Sequence, residues 1–232
     1  MHIHYATLET CSTATDTVVV IDVIRAFTTA AFAFAAGARD IIPVNTVQEA
    51  MALRERSPGA LVMGCGPDRF PPQGFDFGNS PAALMGRDFS GRRIIQYTPN
   101  GTRGIVRSKG AETLLASSFV CAGATAAYIR RLSPTDVTFV ITGQEGEDRD
   151  CAEYIAGLLG DEMPDVAMLL AELRDVWLRR FRAGVAAGHI TEEMAAGFRA
   201  DLACCTSLDR FSFAMLVRRQ EGLLVMEADH CS

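Results

Sequence analysis

Residues 18–23, Val-Val-Val-Ile-Asp-Val, narrow the possible folds more than any other stretch of the 232-residue chain. A continuous run of β-branched residues reads as a strand buried on both faces, as in a parallel sheet. The segment that follows, 26–36, is apolar apart from Thr28 and Thr29 and ends before Gly37. A glycine there suits a helix C-terminus, and a second apolar run at 40–44 completes a strand–helix–strand unit. Thr46 and Glu49 have capping-box spacing and open a helix over 47–56, after which 60–63 reads as a third strand. Residues 64–81 lose all periodicity, yet Phe70, Phe75 and Phe77 favour an ordered loop. Beyond it, strands over 93–98, 112–116 and 136–141 alternate with helices over 102–108, 120–132 and 148–159. Residues 165–200 read as helical with a break at Gly184 and Gly188, and 222–227 as a closing strand. The expected class is α/β, a layered α/β/α architecture with a largely parallel or mixed sheet and a helical segment near the C-terminus. Residues 1–232 read as a single α/β domain. The similar rhythm before and after residue 90 leaves open two intimately packed halves from an old duplication.

A formal charge of −6 argues against nucleic acid as a partner, because such binders present a basic face. Lys109 is the sole lysine, so anion recognition falls to arginine forks or backbone N–H groups. The longest apolar stretch is about a dozen residues where a bilayer span needs roughly 20, so no membrane association is expected. The first residues lack a basic segment followed by an apolar one. Seven cysteines are scattered with no CxxC pair, which fits a reduced, cytoplasmic setting.

In an open α/β sheet, ligands bind beyond the carboxyl ends of the strands, and three strand–helix loops carry unusual residues. The first strand ends in Asp22, with Arg25 three residues on. A carboxylate at the end of an apolar strand calls for a partner. Asp22 is a candidate Mg²⁺ ligand or base and Arg25 a phosphate contact; the alternative is a structural Asp22–Arg25 pair. The second loop brings Asn100, Gly101, Thr102 and Arg103 to a helix start, either an anion cradle or a capped Asn-Gly turn. The third, 142–150, holds Glu145, Glu147, Asp148 and Asp150, read either as helix-capping acids or as a hard-metal site. The aperiodic loop, with Asn79 and Ser80, is placed to cover the site.

Other schemes fail on spacing. No Walker A loop, dinucleotide fingerprint or nucleophile elbow occurs. Cys204 and Arg210 have the spacing of cysteine-dependent phosphatases but lack the preceding strand and the glycines. His2 and His4 would share one strand face as a weak metal pair.

Taken in order, Val19 to Ala26, Gly74 to Pro81, Thr98 to Arg103, Ala116 to Phe119 and Glu147 to Ala152 resemble the 2-phosphosulfolactate phosphatase family over about residues 17–160. The resemblance implies an α/β, Mg²⁺-dependent acid phosphatase that converts 2-phosphosulfolactate to 3-sulfolactate in coenzyme M biosynthesis. By position, Asp22, Arg25, Asn100, Thr102 and Arg103 would be catalytic. Asn79, Ser80, Gly101 and Ser118 would bind substrate, and Asp22, Glu147 and Asp148 would hold metal. The implied partner is a small phosphorylated acid, and a homodimer is left open. One departure concerns the site itself: where the family carries Gly-Gly-Glu, this chain has Met63-Gly64-Cys65, a thiol in place of an acid, with Glu145 as a substitute. A non-catalytic binder of an anionic metabolite and a phosphatase for another phosphoester stay open as alternatives.

Overall fold

The computed structural model describes residues 1–143, 146–160 and 165–230. The strands are β1 (His2–Thr7), β2 (Thr17–Ile21), β3 (Asp40–Val44), β4 (Leu61–Gly64), β5 (Arg93–Tyr97), β6 (Thr113–Ser117), β7 (Asp136–Ile141), β8 (Phe213–Gln220) and β9 (Leu223–His230). The α-helices are α1 (Ala26–Ala35), α2 (Val47–Arg56), α3 (Pro81–Leu84), α4 (Gly101–Arg107), α5 (Ala122–Leu132), α6 (Glu147–Leu159), α7 (Val166–Ala186) and α8 (Glu192–Cys205). Among the described residues the strands form one mixed sheet in the order β1-β7-β2-β6-β8-β9-β3-β5-β4. An α/β fold is therefore what the chain adopts.

The sheet consists of two parallel blocks joined by an antiparallel hairpin. β1, β7, β2 and β6 run parallel, as do β3, β5 and β4. The steps β6–β8, β8–β9 and β9–β3 are antiparallel, so the two blocks point in opposite directions. Period-2 alternation sorts each strand's side chains between two faces. Val18 and Val20 of β2, Leu114 and Ala116 of β6, Met215 and Val217 of β8, Ile41 of β3, Ile94 of β5 and Met63 of β4 all pack into one core with α1. Their neighbours Val19, Ile21, Leu115 and Leu216 join a second core under α5 to α8, while Ile42, Val62 and Ile95 pack with α2.

Every residue of α1 from Ala26 to Phe34 is buried, which suits a helix apolar on all sides. The sheet coils around it, in keeping with the right-handed twist that accumulates over many strands. That coiling brings the carboxyl ends of oppositely directed blocks to one place, at the start of α1.

Most expected elements are present within two residues of their boundaries. The capping box is complete: Glu49 N donates to Thr46 Oγ1 at 3.0 Å, and Thr46 N to Glu49 Oε2 at 3.2 Å. The 165–200 segment is two helices broken at Gly188, whose φ of 72° suits only glycine well. α3 and β8 were not expected, and β1 only as a strand that would align His2 and His4. β1 is a largely exposed edge strand with only Ile3 and Tyr5 turned to the core. β8, inside the sheet, is apolar on both faces over Phe213–Val217 and shows no alternation to read. Glu145, expected to substitute for the acid at position 65, lies outside the described residues, as does Gln144.

Candidate active site

A cavity of about 400 Å³ opens where the two blocks' carboxyl ends converge. Asp22 follows β2, Cys65 follows β4, Asn100 follows β5, and Glu147 follows β7 at the first turn of α6; all four line the cavity.

Asp22 is 7% exposed. Its Oδ1 accepts from Ala26 N at 2.9 Å, and the Gly101 N–H lies against the same carboxyl. Burial, then the charge of Asp148, push its pKa up to about 8, Glu147 adding to the effect and the two N–H groups opposing it. The contact with α4 depends on a missing side chain: a Cβ at Gly101 would stand 2.7 Å from Asp22 Oδ2 and 2.7 Å from Ala26 Cβ.

Asp148 and Glu147 divide the work between them. Asp148 accepts from Val23 N at 2.8 Å, Thr142 Oγ1 at 3.0 Å and Gly143 N at 2.7 Å. Both its oxygens are engaged, and it ties the β2–α1 turn to the β7–α6 turn. Burial raises its pKa in spite of those donors. Glu147, 4% exposed, lines the cavity.

Arg25 is at the cavity wall but does not pair with Asp22. Its Nη1 donates to Asp201 Oδ2, and its guanidinium lies over the Phe198 ring at 5.3 Å. Asp201, on α8 and 2% exposed, also accepts from Ser80 Oγ at 2.6 Å and Ala82 N at 3.1 Å. One carboxylate thus joins α8, α3 and the loop before α1. Nothing in the sequence reading pointed to Asp201. The available signal was a carboxylate sharing a helix face with Phe198, Leu202 and Cys205.

The other expected residues separate into those at the cavity and those away from it. Asn79 and Asn100 line it; Asn79 is buried and its Oδ1 accepts no hydrogen bond. Ser80 caps α3, its Oγ accepting from Ala83 N at 3.3 Å. Thr102 spends its hydroxyl inside the turn, donating to Thr98 O at 2.9 Å and accepting from Thr98 N at 2.9 Å. Arg103 is exposed and its charge acts on Glu9, away from the cavity. Ser118 is fully buried and does not line the cavity. Cys65 does line it; burial raises its thiol pKa, with Arg25 opposing, so the thiol is neutral where an acid was expected. Trp177, Phe181 and Phe198 of α7 and α8 form an aromatic roof, and Arg69 closes the rim. His4 on β1 is engaged with Asp136 on β7 at 2.8 Å, and Arg210 lies over Phe32 and Phe211, so neither takes part.

Whether a divalent cation fits can be judged from the donors. Among the described residues no three His, Cys, Asp or Glu side chains form a ready-made ligand group. Even so, Asp22, Glu147 and Asp148 are three buried acids close together, and burial first, then the charge of Asp148, raise the pKa of Asp22. The donors are hard oxygens, with Asn79 Oδ1 a further buried acceptor, which suits a hard cation.

The family model described as 2-phosphosulpholactate phosphatase matches residues 3–220. This chain belongs to the 2-phosphosulfolactate phosphatase family. Within that family it is 36% identical over 226 residues to a probable 2-phosphosulfolactate phosphatase of Carboxydothermus hydrogenoformans, covering 91% of this chain and 90% of the relative. The probable 2-phosphosulfolactate phosphatases of Thermotoga petrophila and Gloeobacter violaceus are 33% and 32% identical, over 84% and 90% of this chain and 86% and 91% of theirs. The family match extends past the loops that first suggested it and takes in α7, α8 and β8, the elements that roof the cavity and fill the middle of the sheet.

Proposed function

We propose that the chain hydrolyses the phosphate monoester of a small 2-hydroxy acid in a Mg²⁺-dependent reaction, with 2-phosphosulfolactate as substrate and 3-sulfolactate and phosphate as products. The observation that carries this reading is the meeting of a buried acidic group, Asp22 with Glu147, and the Arg25 guanidinium in one roofed cavity of about 400 Å³. Family membership and the names of the relatives support the substrate. Asp22 and Glu147 are the residues that would hold Mg²⁺, because Asp148 has both oxygens committed to backbone and threonine donors. Bound there, the cation would supply positive charge against the transferring phosphoryl group and would make a coordinated water more acidic.

The chain's own groups do the rest. Arg25, gripped by Asp201 and Phe198, offers its remaining N–H donors to phosphate oxygens. Asn100 and Asn79 present amide groups along the same wall. Gly101 allows the start of α4 to press against Asp22 and hold its carboxyl in place. Trp177, Phe181 and Phe198 keep bulk water from the reacting centre, which strengthens each of these interactions. No helix among the described residues is long and apolar enough to cross a membrane, and we read the enzyme as a cytoplasmic step of coenzyme M biosynthesis. Phosphate release from 2-phosphosulfolactate by metal-stripped protein, before and after Mg²⁺ is restored, tests the reading. Release that needs the cation supports it, and none under either condition overturns it.

A further inference from the structure

The hydrolytic reading leaves one cationic residue of the cavity without a task. Arg69 lines the rim in the loop after β4, between Cys65 and the covering segment that carries Asn79. Its backbone φ is 70°, a left-handed conformation that residues with a Cβ seldom adopt. Three bonds hold the loop in that shape: Arg69 N donates to Gly66 O at 2.9 Å, Gly66 N to Phe70 O at 2.8 Å, and Phe70 N to Asp68 Oδ1 at 3.1 Å. Asp68, the nearest acid in sequence, is therefore turned into the loop, and the Arg69 guanidinium makes no ion pair or hydrogen bond with any described residue.

Arg25 contrasts with it, being neutralised by buried Asp201. The cavity thus has two guanidinium groups of different character. Arg25 is fixed, deep and paired, suited to the group that reacts. Arg69 is at the mouth with its charge unspent, suited to an anionic group at the far end of the same ligand.

Resting on the hydrolytic reading for its substrate class, we propose that Arg69 is the specificity-determining residue that receives a second acidic group, carboxylate or sulfonate, of a phosphorylated acid. The cavity then selects phosphoesters that carry a further acidic group over those of simple alcohols. It does so by leaving an arginine unpaired until an acid arrives, since an ester without that acid forgoes a charge-assisted hydrogen bond.

The test compares 2-phospholactate with 1,2-propanediol 2-phosphate, which carries an alcohol in place of the carboxylate, in wild type, Arg69→Gln and Arg69→Lys. Arg69→Gln is expected to raise KM for 2-phospholactate by about tenfold or more, with kcat little changed, and to leave the ester that lacks the carboxylate unaffected. Arg69→Lys should recover part of the loss. An equal loss on both esters, or none on either, overturns the assignment. Binding of 3-sulfolactate, followed through the fluorescence of Trp177, the only tryptophan of the chain, separates the two levels of the argument. If wild type turns over neither ester and releases no phosphate from 2-phosphosulfolactate, the hydrolytic reading fails alone. Arg69 then stands if 3-sulfolactate binds wild type about tenfold or more tightly than Arg69→Gln, and falls if the two bind alike or neither binds.

Discussion

Replacing Asp201 by alanine removes the acceptor for three donors at once: the Arg25 guanidinium, Ser80 Oγ and Ala82 N. The main cost comes from Arg25, whose side chain is 12% exposed and would keep its charge with no counter-ion. Breaking a buried pair from one side costs about 3–5 kcal/mol. Ser80 and Ala82 each forfeit a bond worth about 1 kcal/mol net, part of which water entering the space restores. The expected loss for Asp201→Ala is therefore about 4 kcal/mol. Arg25→Ala on the same background should recover about 2 kcal/mol, since removing both charges leaves no uncompensated ion. Urea unfolding followed by Trp177 fluorescence and by far-ultraviolet circular dichroism gives both numbers. Tryptophan reports the roof and dichroism the sheet and helices, so coincident curves establish a single transition. A loss below about 1 kcal/mol for Asp201→Ala, or costs for the two residues that add within about 0.5 kcal/mol, would refute the claim that Asp201 is the counter-ion holding Arg25.

Three further outcomes are expected. Asp22 has a folded pKa of about 8 against an ordinary 3.8, so the stability it contributes is present below pH 3.8 and lost as pH rises through about 8. Metal-free wild type should lose stability from pH 5 to 9 and Asp22→Asn should not, the gap that opens over this range reaching as much as about 4 kcal/mol; parallel melting profiles of the two proteins would contradict this. Gly101→Ala forces a methyl group to within 2.7 Å of Asp22 Oδ2 and Ala26 Cβ. It should cost about 1–3 kcal/mol in unfolding free energy and lower kcat more than it raises KM, whereas near-wild-type stability would show that α4 can move away. Cys65→Ser keeps the position neutral and nearly the same size, so Mg²⁺ affinity by calorimetry should stay within about threefold of wild type; a loss of tenfold or more would make the thiol a ligand.

The elements of the sheet were readable where burial leaves a periodic trace. β2 and α1 are sheathed on all sides, and their largely apolar runs, without a charged residue, say so. β8 is just as buried, but Phe-Ala-Met-Leu-Val has neither alternation nor a β-branched majority and follows a helix. The opposed direction of the two blocks follows from how many antiparallel steps separate them, which no single strand encodes. The same division holds at the cavity. Asp22, Asn79 and Asn100 stood out as polar residues at strand ends or in an aperiodic loop, and they line it. Arg103 shared their segment, yet its position on α4 directs its charge toward Glu9. Thr102 was expected among the catalytic residues, and its hydroxyl is used by Thr98. Asp201, Trp177 and Arg69 come from elements whose approach to the site depends on how the long sheet coils, so only the folded chain reveals them.

The most direct test of the central claim is kcat/KM for 2-phosphosulfolactate in the presence of Mg²⁺, compared between wild type and Asp22→Asn, with 3-sulfolactate binding measured alongside through Trp177. If Asp22 is the acidic centre of a hydrolytic site, turnover falls by about 10²–10⁴-fold while product binding persists. Turnover within tenfold of wild type in Asp22→Asn would place the chemistry elsewhere and contradict the account.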